Sequence, residues 1–336
     1  MANITFGFGS RVNDSIFGIS QAPIKAIIEK RAESFEQQSI LPHVFNIGNT
    51  NKPMDKLTSM TAMDEFDPVG ENGAYPLTGM QESYSKIIEQ MTWKNSFTIT
   101  QEAVEDSVAI DLRKKPAKFT AAYYRTRERF GARFFGEAVK GSDSFVLNGK
   151  VFNCQTADGK DLFATDHPSK VSGAAQSNLF ADAFSADALA AAEAAMQGFK
   201  GDNDEILAVS PNTILIPNLY ALKKTVFAAI GADKDPDTAN NGYNFQFGRW
   251  RVIVWAYLNE FITAGTAPWI LLDSKYNEEY DGAVWLDRIP LAVKSDIDPG
   301  TDANVWRGRA RFNAGFNDWR FAACGGVTGG TQLITG

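Results

Sequence analysis

The chain has 336 residues, of which 44% are hydrophobic and 22% charged; this composition allows a large buried core and argues against disorder. Its 33 basic and 40 acidic residues give a formal net charge of -7, which argues against a dedicated nucleic-acid binder. Cys154 and Cys324 are the only cysteines, so zinc ribbons and disulfide frameworks are excluded. Reduced thiols are the simplest interpretation, and a single disulfide stays open. Neither a signal-like start nor a run of about 18 apolar residues occurs, so we expect no standard export and no membrane span.

The N-terminal region divides into an arm and a helix. Residues 1–22 mix Gly, Asn, Ser and Phe without a period, so we expect an irregular arm there. Proline is tolerated in a first helical turn, which places a helix start at Pro23. Apolar residues then recur on one helical side: Ile24, Ile27, Ile28 and Phe35. The pattern predicts a short amphipathic helix.

Residues 50–100 read as a long hairpin. Turn residues cluster near its middle: Pro68, Gly70, Gly73 and Pro76. Downstream, apolar residues alternate as they do along a strand: Met91, Trp93, Phe97 and Ile99. The excursion is too polar to pack easily on its own molecule, so it either contacts another subunit or forms a floppy insertion.

Two helices follow the hairpin. Thr100 opens the first, and Glu102 lies in its first turn, where the helix dipole favours an anion. The second spans 114–139 and carries an aromatic stripe: Phe119, Tyr123, Phe130 and Phe134. A basic stripe lies on another side of the same helix: Lys114, Lys118, Arg125, Arg129 and Arg133. The basic stripe either faces nucleic acid or pairs with neighbouring carboxylates, and we favour the pairing.

The second half of the chain contains a loop region followed by a segment of alternating helices and strands. Residues 142–185 are rich in Gly, Ser, Asn and Asp and read as a loop region. From about 180 to 275 helices and strands alternate, with Ser185 and Asn218 as predicted N-caps and Gly231 at a helix end; this predicts a compact α/β lobe.

The last sixty residues look all-β. In one strand apolar residues alternate with polar ones, so that one face enters a core. The apolar set is Trp306, Ala310, Phe312, Ala314 and Phe316. The other face presents Arg307, Arg309 and Arg311.

His167, in "DLFATDHPS", is the candidate catalytic residue, and the only other histidine is His43. Adjacent residues in an extended segment point in different directions, so Asp166 cannot orient His167 as a triad requires. We therefore favour a turn residue that hydrogen-bonds its own loop. The acidic loops 233–242 and 296–304 lack the glycine and glutamate of calcium loops, so we expect neither a metal nor a cofactor.

The order of these segments resembles the major capsid proteins of tailed bacteriophages, which have the Hong Kong 97 fold. Within that group the chain is most similar to the Mu-like major head subunit, and the matching stretches lie within about 100–275. They are "FTITQEAVEDSVAI", "LFATDHPS" followed by "GAAQSNL", "PNTILIPNLYALKK" and "PWILLD".

The resemblance implies an α+β fold, the Hong Kong 97-like capsid fold, with an N-terminal arm, an extended β-hairpin loop, a long spine helix, an α/β axial domain and a β-rich peripheral domain. The implied divisions are 1–49 for the arm and short helix, 50–100 for the extended hairpin loop, 101–179 for the peripheral domain with the spine helix, 180–275 for the axial domain, and 276–336 for the C-terminal β part of the peripheral domain.

The implied function is self-assembly without catalysis. Copies of the chain would form hexamers and pentamers of an icosahedral shell, assembled in the host cytoplasm, that encloses double-stranded DNA in the virion. The implied intersubunit contacts lie at the hairpin tip: Val69, Gly70, Glu71, Asn72, Gly73, Tyr75 and Pro76. Further implied partners are portal, scaffolding and decoration proteins, together with DNA that is contacted weakly and non-specifically by the basic stripes; no membrane is involved.

The sequence departs from some relatives in this group. Some carry an N-terminal scaffolding segment; the arm here is short and lacks heptads, so we expect scaffolding to be separate or already removed. Some cross-link a lysine to an asparagine; the tip "PVGENGAYP" has no lysine, and Lys86 and Lys94 lie further down the hairpin, so we expect a non-covalent shell. Three other functions stay open: an encapsulin-type nanocompartment shell, a hydrolase using His167, and a different phage structural protein such as a tail sheath.

Overall fold

The computed structural model describes residues 4–8, 14–60, 82–106, 113–171, 173–231 and 243–333. The helices within these ranges are α1 (Asp14–Gln38), α2 (Leu41–Val44), α3 (Gln101–Glu105), α4 (Lys115–Val139), α5 (Ala186–Gln197), α6 (Tyr220–Ile230) and α7 (Ser274–Tyr280). The strands are β1 (Thr5–Phe8), β2 (Asn46–Asn49), β3 (Met54–Met60), β4 (Glu82–Glu89), β5 (Met91–Ile99), β6 (Ser144–Leu147), β7 (Lys150–Asn153), β8 (His167–Pro168), β9 (Ala175–Gln176), β10 (Thr213–Pro217), β11 (Arg251–Trp255), β12 (Trp269–Leu272), β13 (Ala283–Ile297), β14 (Asn304–Phe316) and β15 (Ala322–Gly325).

The long helix α4 spans the residues that the aromatic periodicity predicts. Phe119, Phe130 and Phe134 are buried, and Tyr123 is partly buried against them. Pro116 lies in the first turn, where its missing N–H costs no helical hydrogen bond. The helix therefore packs through its aromatic stripe.

The N-terminal helix corrects the expectation of an irregular arm over residues 1–22. Helix α1 begins at Asp14, so Pro23 lies within the helix and not at its first turn. Ile24 and Ile28 are buried in a core with residues of α4 and of strands β13 and β14. This tertiary packing outweighs the cost of an interior proline, which local pattern alone cannot show.

Helix caps in the α/β lobe match the predictions in two places of three. The Ser185 hydroxyl accepts the N–H of Ala188 at 3.0 Å and caps α5, and Gly231 follows the last residue of α6. Asn218 is not the cap of α6, because the helix begins one residue further on, after Leu219. The backbone of Asn218 is instead hydrogen-bonded in both directions to the side chain of Asn259.

A five-stranded sheet has the order β1-β13-β14-β5, and β2 also pairs with β13. Its long antiparallel pair β13–β14 confirms the predicted terminal strands, and the five alternating apolar residues of β14 are buried. Helix α4 lies so close to this face that a side chain at Gly308 would meet the Phe119 ring at 2.3 Å. The face with the arginines is the opposite one.

A second, four-stranded sheet has the order β11-β10-β12-β15. Strands β10 and β11 are parallel, whereas β12 is antiparallel to both β10 and β15. Residues 276–336, expected to be all-β, open with part of α7 and end in a strand of this second sheet. The helical residues at the start correct the all-β expectation. The pairing of β15 with β12 was not predicted, because a four-residue strand carries no signal about its partner.

The segments read as hairpin and loop are more ordered than the sequence suggests. Strands β3 and β4 form the expected antiparallel hairpin, while β5 pairs along its length with β14. Residues 142–185, expected to be a loop region, contain the small hairpins β6–β7 and β8–β9. Asn148 and Gly149 have φ values of 49° and 75° and make the tight turn of the first, a sequence signal that the composition of this region obscured.

One continuous hydrophobic core connects the two sheets. Trp255 and Trp269 from the second sheet, Trp285 from the first and Phe135 from α4 are fully buried within it. Cys154 and Cys324 are free and buried in the same core. Burial raises the pKa of the Cys154 thiol to about 12, so the reduced form stays protonated and inert at neutral pH.

Candidate functional site

His167 is a structural residue of the loop region. Its side chain is fully buried, with Nδ1 2.7 Å from Asp158 Oδ2 and Nε2 3.2 Å from Asn178 Oδ1. The imidazole stacks on Trp319 with ring centroids 4.4 Å apart. Ser169 turns its hydroxyl to the carbonyl of Asp202. The geometry confirms that His167 hydrogen-bonds residues of its own loop region. Ser169 donates to a backbone carbonyl and not to His167, so these two residues do not form the nucleophile–base pair that a hydrolase needs.

The base of the β3–β4 hairpin is fastened to the body of the subunit. Lys86 Nζ donates to Asn153 Oδ1 and to the Gln155 carbonyl, both at 2.6 Å. The Ser83 hydroxyl donates to Asp202 Oδ2 at 2.6 Å, and Lys170 Nζ donates to the Ser83 carbonyl at 2.7 Å. Burial lowers the pKa of Lys86 to about 8. The base of the hairpin thus packs on its own molecule, although we expected the excursion to be too polar to do so easily.

Asp202 joins that hairpin base to a buried ion network. Arg320 Nη2 lies 3.0 Å from Asp202 Oδ1, and its Nη1 lies 3.3 Å from Asp318 Oδ1. Tyr276 donates its hydroxyl to Asp318 at 2.9 Å. Helix α7, the segment between β14 and β15, and the hairpin are therefore connected through one set of polar contacts.

The basic stripe of α4 is not uniform. Lys114, Lys118 and Arg125 are exposed. Arg129 donates twice to Glu260 Oε2, at 2.9 and 2.5 Å. Arg133 is partly buried, 3.5 Å from Glu137 and over the ring of Phe145. Two of the five cations are thus paired with carboxylates, and three point to solvent.

The arginine face of β14 collects cations from both neighbouring strands. Arg307 and Arg309 are exposed and Arg311 is half-buried. Arg307 lies directly opposite Lys294 of β13, and Arg309 directly opposite Lys94 of β5. Residues directly opposite each other in a ladder point to the same side of the sheet. Lys294 and Lys94 therefore lie on the same face as the arginines, although the sequence did not group them.

The sequence does not predict one buried ion pair between helix α4 and the main sheet. Arg127 of α4 binds Asp287 of β13 with two parallel hydrogen bonds of 2.7 and 2.8 Å. Its guanidinium also lies 4.8 Å from the centroid of the Trp285 ring. The only sequence signal was the lone acid within the apolar strand "VWLDRIPL", which gives no indication of a partner 160 positions away.

Exposed aromatic side chains gather on the lobe that carries the second sheet. They are Tyr220 and Phe227 of α6, and Tyr243, Phe245 and Phe247 after it. Asn244 ties the second group to α6 through the carbonyl of Ala229. Apolar surface of this kind marks contacts with other proteins.

The described residues contain neither a metal-binding cluster nor a membrane-spanning helix. These residues hold no group of three or more His, Cys, Asp or Glu side chains able to bind a metal ion. Within them, no helix is both long and apolar enough to cross a bilayer. In the loop 296–304, Asp298 accepts hydrogen bonds from the Gly300 N–H and the Thr301 hydroxyl. This is the hydrogen bonding of a turn whose aspartate caps its own backbone. The other acidic loop, 233–242, and the seven predicted tip residues from Val69 to Pro76 lie outside the described residues.

Comparison with known proteins decides between the remaining interpretations. The phage capsid protein family matches residues 83–324, which is more than half of the chain. The chain belongs to this phage capsid protein family. No curated protein sequence matches the chain.

Solved structures show the fold of this capsid subunit. The capsid of Ralstonia phage GP4 has a TM-score of 0.52 at 9% identity, covering 85% of this chain and 87% of that one. The structure from Mycobacterium phage Patience has a TM-score of 0.51 at 11% identity, covering 99% of this chain and 95% of that one. The holo-SrpI encapsulin complex from Synechococcus elongatus has a TM-score of 0.50 at 9% identity, covering 88% of this chain and 88% of that one. The subunit therefore has the predicted α+β, Hong Kong 97-like fold.

Family and fold together establish the activity of the capsid subunit. It is a major capsid protein whose copies self-assemble into the icosahedral shell of a phage virion. It is a structural protein and not an enzyme, as the sequence predicted.

Proposed function

We propose that the capsid subunit forms hexamers and pentamers of a non-covalent shell around double-stranded DNA, and that it belongs to the Mu-like branch of head proteins. The short stretches within 100–275, above all "LFATDHPS" and "PNTILIPNLYALKK", support the Mu-like placement. Portal, scaffolding and decoration proteins are its further partners, and it contacts DNA weakly through cations.

The observation that carries this proposal is the β3–β4 hairpin. Eight residues of β4 extend about 27 Å at the usual rise per residue, and the paired strands lead to residues 61–81. A hairpin of this length brings its tip to a neighbouring subunit, and contacts repeated in this head-to-tail manner close into rings and shells. The tip residues Val69 to Pro76 are the contact.

The remaining parts take the roles that the segment order implies. Helix α4 is the spine of a peripheral domain built from 101–179 and most of 276–336, and the arm occupies 1–49. Of residues 50–100, assigned to the hairpin from the sequence, strand β5 belongs with the peripheral domain through β14, and of residues 276–336 strand β15 belongs with the lobe through β12. The lobe 180–275 is the axial domain, which surrounds the symmetry axis of each capsomer. Its exposed aromatic side chains support this role, since they need a protein surface to cover them.

Electron microscopy of the purified protein tests the proposal. We expect closed polyhedral particles or capsomer rings when the subunit is produced with its scaffolding and portal partners, and nuclease-protected DNA in filled particles. Tubes, or a subunit that stays monomeric in the presence of those partners, would contradict it.

The alternative is an encapsulin-type shell: the encapsulin from Synechococcus elongatus shares the fold, whereas the family match is to phage capsid proteins. The content of the particles separates the two functions. Protected DNA supports the phage head, whereas a co-purifying cargo enzyme supports the nanocompartment.

A further inference from the structure

We propose that a cavity between helix α4 and the five-stranded sheet binds a small aromatic anion, that is, a planar ring system with one carboxylate, sulfonate or phosphate group. The cavity has a volume of about 420 Å³, which lies within the usual range of small-molecule sites. Residues of α4, β5, β13 and β14 form its walls, and the turn of the β6–β7 hairpin and Phe261 complete the lining. The proposal concerns the single subunit, so it does not depend on the proposed function.

The apolar wall of the cavity consists of rings that hold one another in place. Trp93 stacks on Phe312 with ring centroids 4.9 Å apart and meets Phe130 edge-on at 5.0 Å. The Trp93 indole N–H donates to the Phe312 carbonyl at 3.1 Å, which fixes the plane of the indole. Trp93 and Tyr123 are only partly buried, so their rings keep surface that a ligand can cover. A preformed aromatic wall suits a planar ring, because little conformational freedom is lost on binding.

Small residues leave the cavity open. Ala122 of α4 and Ala310 of β14 line it, with Gly308 close to them. A Cβ atom at Gly308 would lie 2.3 Å from the Phe119 ring, so the helix already touches the sheet at that point. Helix α4 therefore cannot move inward to close the gap, and the space persists without a ligand.

The polar side of the cavity is positively charged. Three arginines of the basic stripe lie along it at intervals of four residues: Arg125, Arg129 and Arg133. Arg129 binds Glu260 and Arg133 lies near Glu137, whereas no carboxylate of the described residues pairs with Arg125. Among the described residues that line the cavity, none is acidic. An anionic group of a ligand would balance this charge.

Arg133 is held in a fixed position beside the cavity. Its guanidinium lies 4.4 Å from the centroid of the Phe145 ring and 5.8 Å from that of Phe261. Its Nε is buried and makes no hydrogen bond to the described residues, and Glu137 Oε1 lies 3.5 Å away. A guanidinium held by aromatic rings presents its N–H groups in one plane, an arrangement that suits the oxygens of a carboxylate, sulfonate or phosphate.

The two kinds of lining together define the class of ligand. An inorganic anion would neutralise the arginines but leave the aromatic wall uncovered. A neutral ring would cover that wall but leave the arginines unbalanced. DNA is too large to enter a cavity of this volume. A ring system with one anionic group matches both the aromatic and the cationic lining.

Two fluorescent dyes test the site, because they share a ring system and differ in charge. Anilinonaphthalene sulfonate carries a sulfonate, and N-phenylnaphthylamine is the same ring system without it. We expect the sulfonate dye to bind the folded, unassembled subunit at one site per chain by calorimetry. It should also raise the Tm, since a ligand that binds only the folded state stabilises it. The uncharged dye should bind about tenfold more weakly, because it makes no hydrogen bond to a cation.

Substitutions in the lining locate the bound dye. Ala122→Phe should fill the cavity and abolish binding of the sulfonate dye. Arg125→Gln should raise the Kd of the sulfonate dye by about tenfold and leave that of the uncharged dye unchanged. Lys118→Gln is the matched control, because it removes an exposed cation of the same helix that does not line the cavity, and it should change neither Kd.

The outcomes decide each part of the proposal. If Ala122→Phe unfolds the subunit by circular dichroism, Thr126→Phe replaces it, one turn further along the same wall. Binding that survives a filled cavity overturns the site and assigns the dye to the exposed aromatic side chains of the lobe. Equal Kd values for the two dyes, or equal effects of Arg125→Gln and Lys118→Gln, overturn the preference for an anion. Absence of binding by the sulfonate dye rejects the proposal as a whole.

Discussion

Arg127 joins the long helix to the main sheet. Its guanidinium binds both carboxylate oxygens of Asp287, and the side chains are only 13% and 15% exposed. Trp285 donates to the same carboxylate at 3.1 Å. A buried pair of this kind adds little net stability over an apolar pair, but loss of one partner leaves the other charge uncompensated.

We therefore expect Arg127→Met to lower the free energy of unfolding of the unassembled subunit by about 3–5 kcal/mol, measured in urea. Arg129→Met is the matched control: its pair with Glu260 is about half exposed and should cost less than about 1 kcal/mol. Adding Asp287→Leu to Arg127→Met should recover much of the loss. Equal effects of the two single substitutions would show that burial does not distinguish these pairs.

Lys86 makes the stability of the hairpin base depend on pH. Its pKa is about 8 in the folded subunit, against 10.5 for an ordinary lysine, so the unfolded chain binds more protons between these values. Stability from this residue therefore rises as the pH increases from 7 to 9.5. Relative to Lys86→Met, the parent should gain about 1–3 kcal/mol of unfolding free energy over that range. If the free energies of unfolding of the two proteins changed in parallel with pH, the lowered pKa of Lys86 would be contradicted.

Phe130 shows what the aromatic stripe contributes at the scale of an element. Its ring contacts Trp93, Phe134, Phe152, Trp285 and Phe312, so that one side chain of α4 reaches three strands of the main sheet and the β6–β7 hairpin. Helices in globular proteins gain most of their stability from such packing.

Phe130→Ala should lower the free energy of unfolding by about 3–5 kcal/mol, because the ring is 3% exposed and the surrounding rings cannot collapse into the space. Phe227→Ala, at a side chain 51% exposed, is the control and should change it by less than about 1 kcal/mol. Urea titration of the unassembled subunit measures both. A small effect at Phe130 would mean that α4 is held by other contacts.

The elements differ in how far the sequence predicts them. Helix α4 and strand β14 carry long apolar periods, and both lie where those periods indicate. The start of α1, the cap of α6 and the pairing of β15 with β12 depend on partners far along the chain, so no local pattern contains them. The same holds for the site: the sequence identifies Arg307 and Arg309, but only strand register places Lys94 and Lys294 beside them.

At the scale of the whole molecule, the core that joins the two sheets lies in the body, and the proposed function assigns the tip of the hairpin to assembly. Deletion of Gly70 to Tyr75 should therefore leave a folded, soluble subunit that fails to close shells, as judged by circular dichroism and electron microscopy. A Gly/Ser segment of the same length tests whether side chains or length matter. Normal shells from the deletion would contradict the placement of the hairpin.

The pairing of distant strands also determines when a new subunit becomes competent to assemble. Within the described ranges, strands β1 and β2 pair only with β13, strand β5 pairs only with β14, and β15 completes the second sheet. None of these partners exists until the ribosome has translated past residue 280, and contacts of such long range form slowly. We therefore expect that a nascent chain completes neither sheet, nor the surfaces built on them, before its C-terminal strands have been translated.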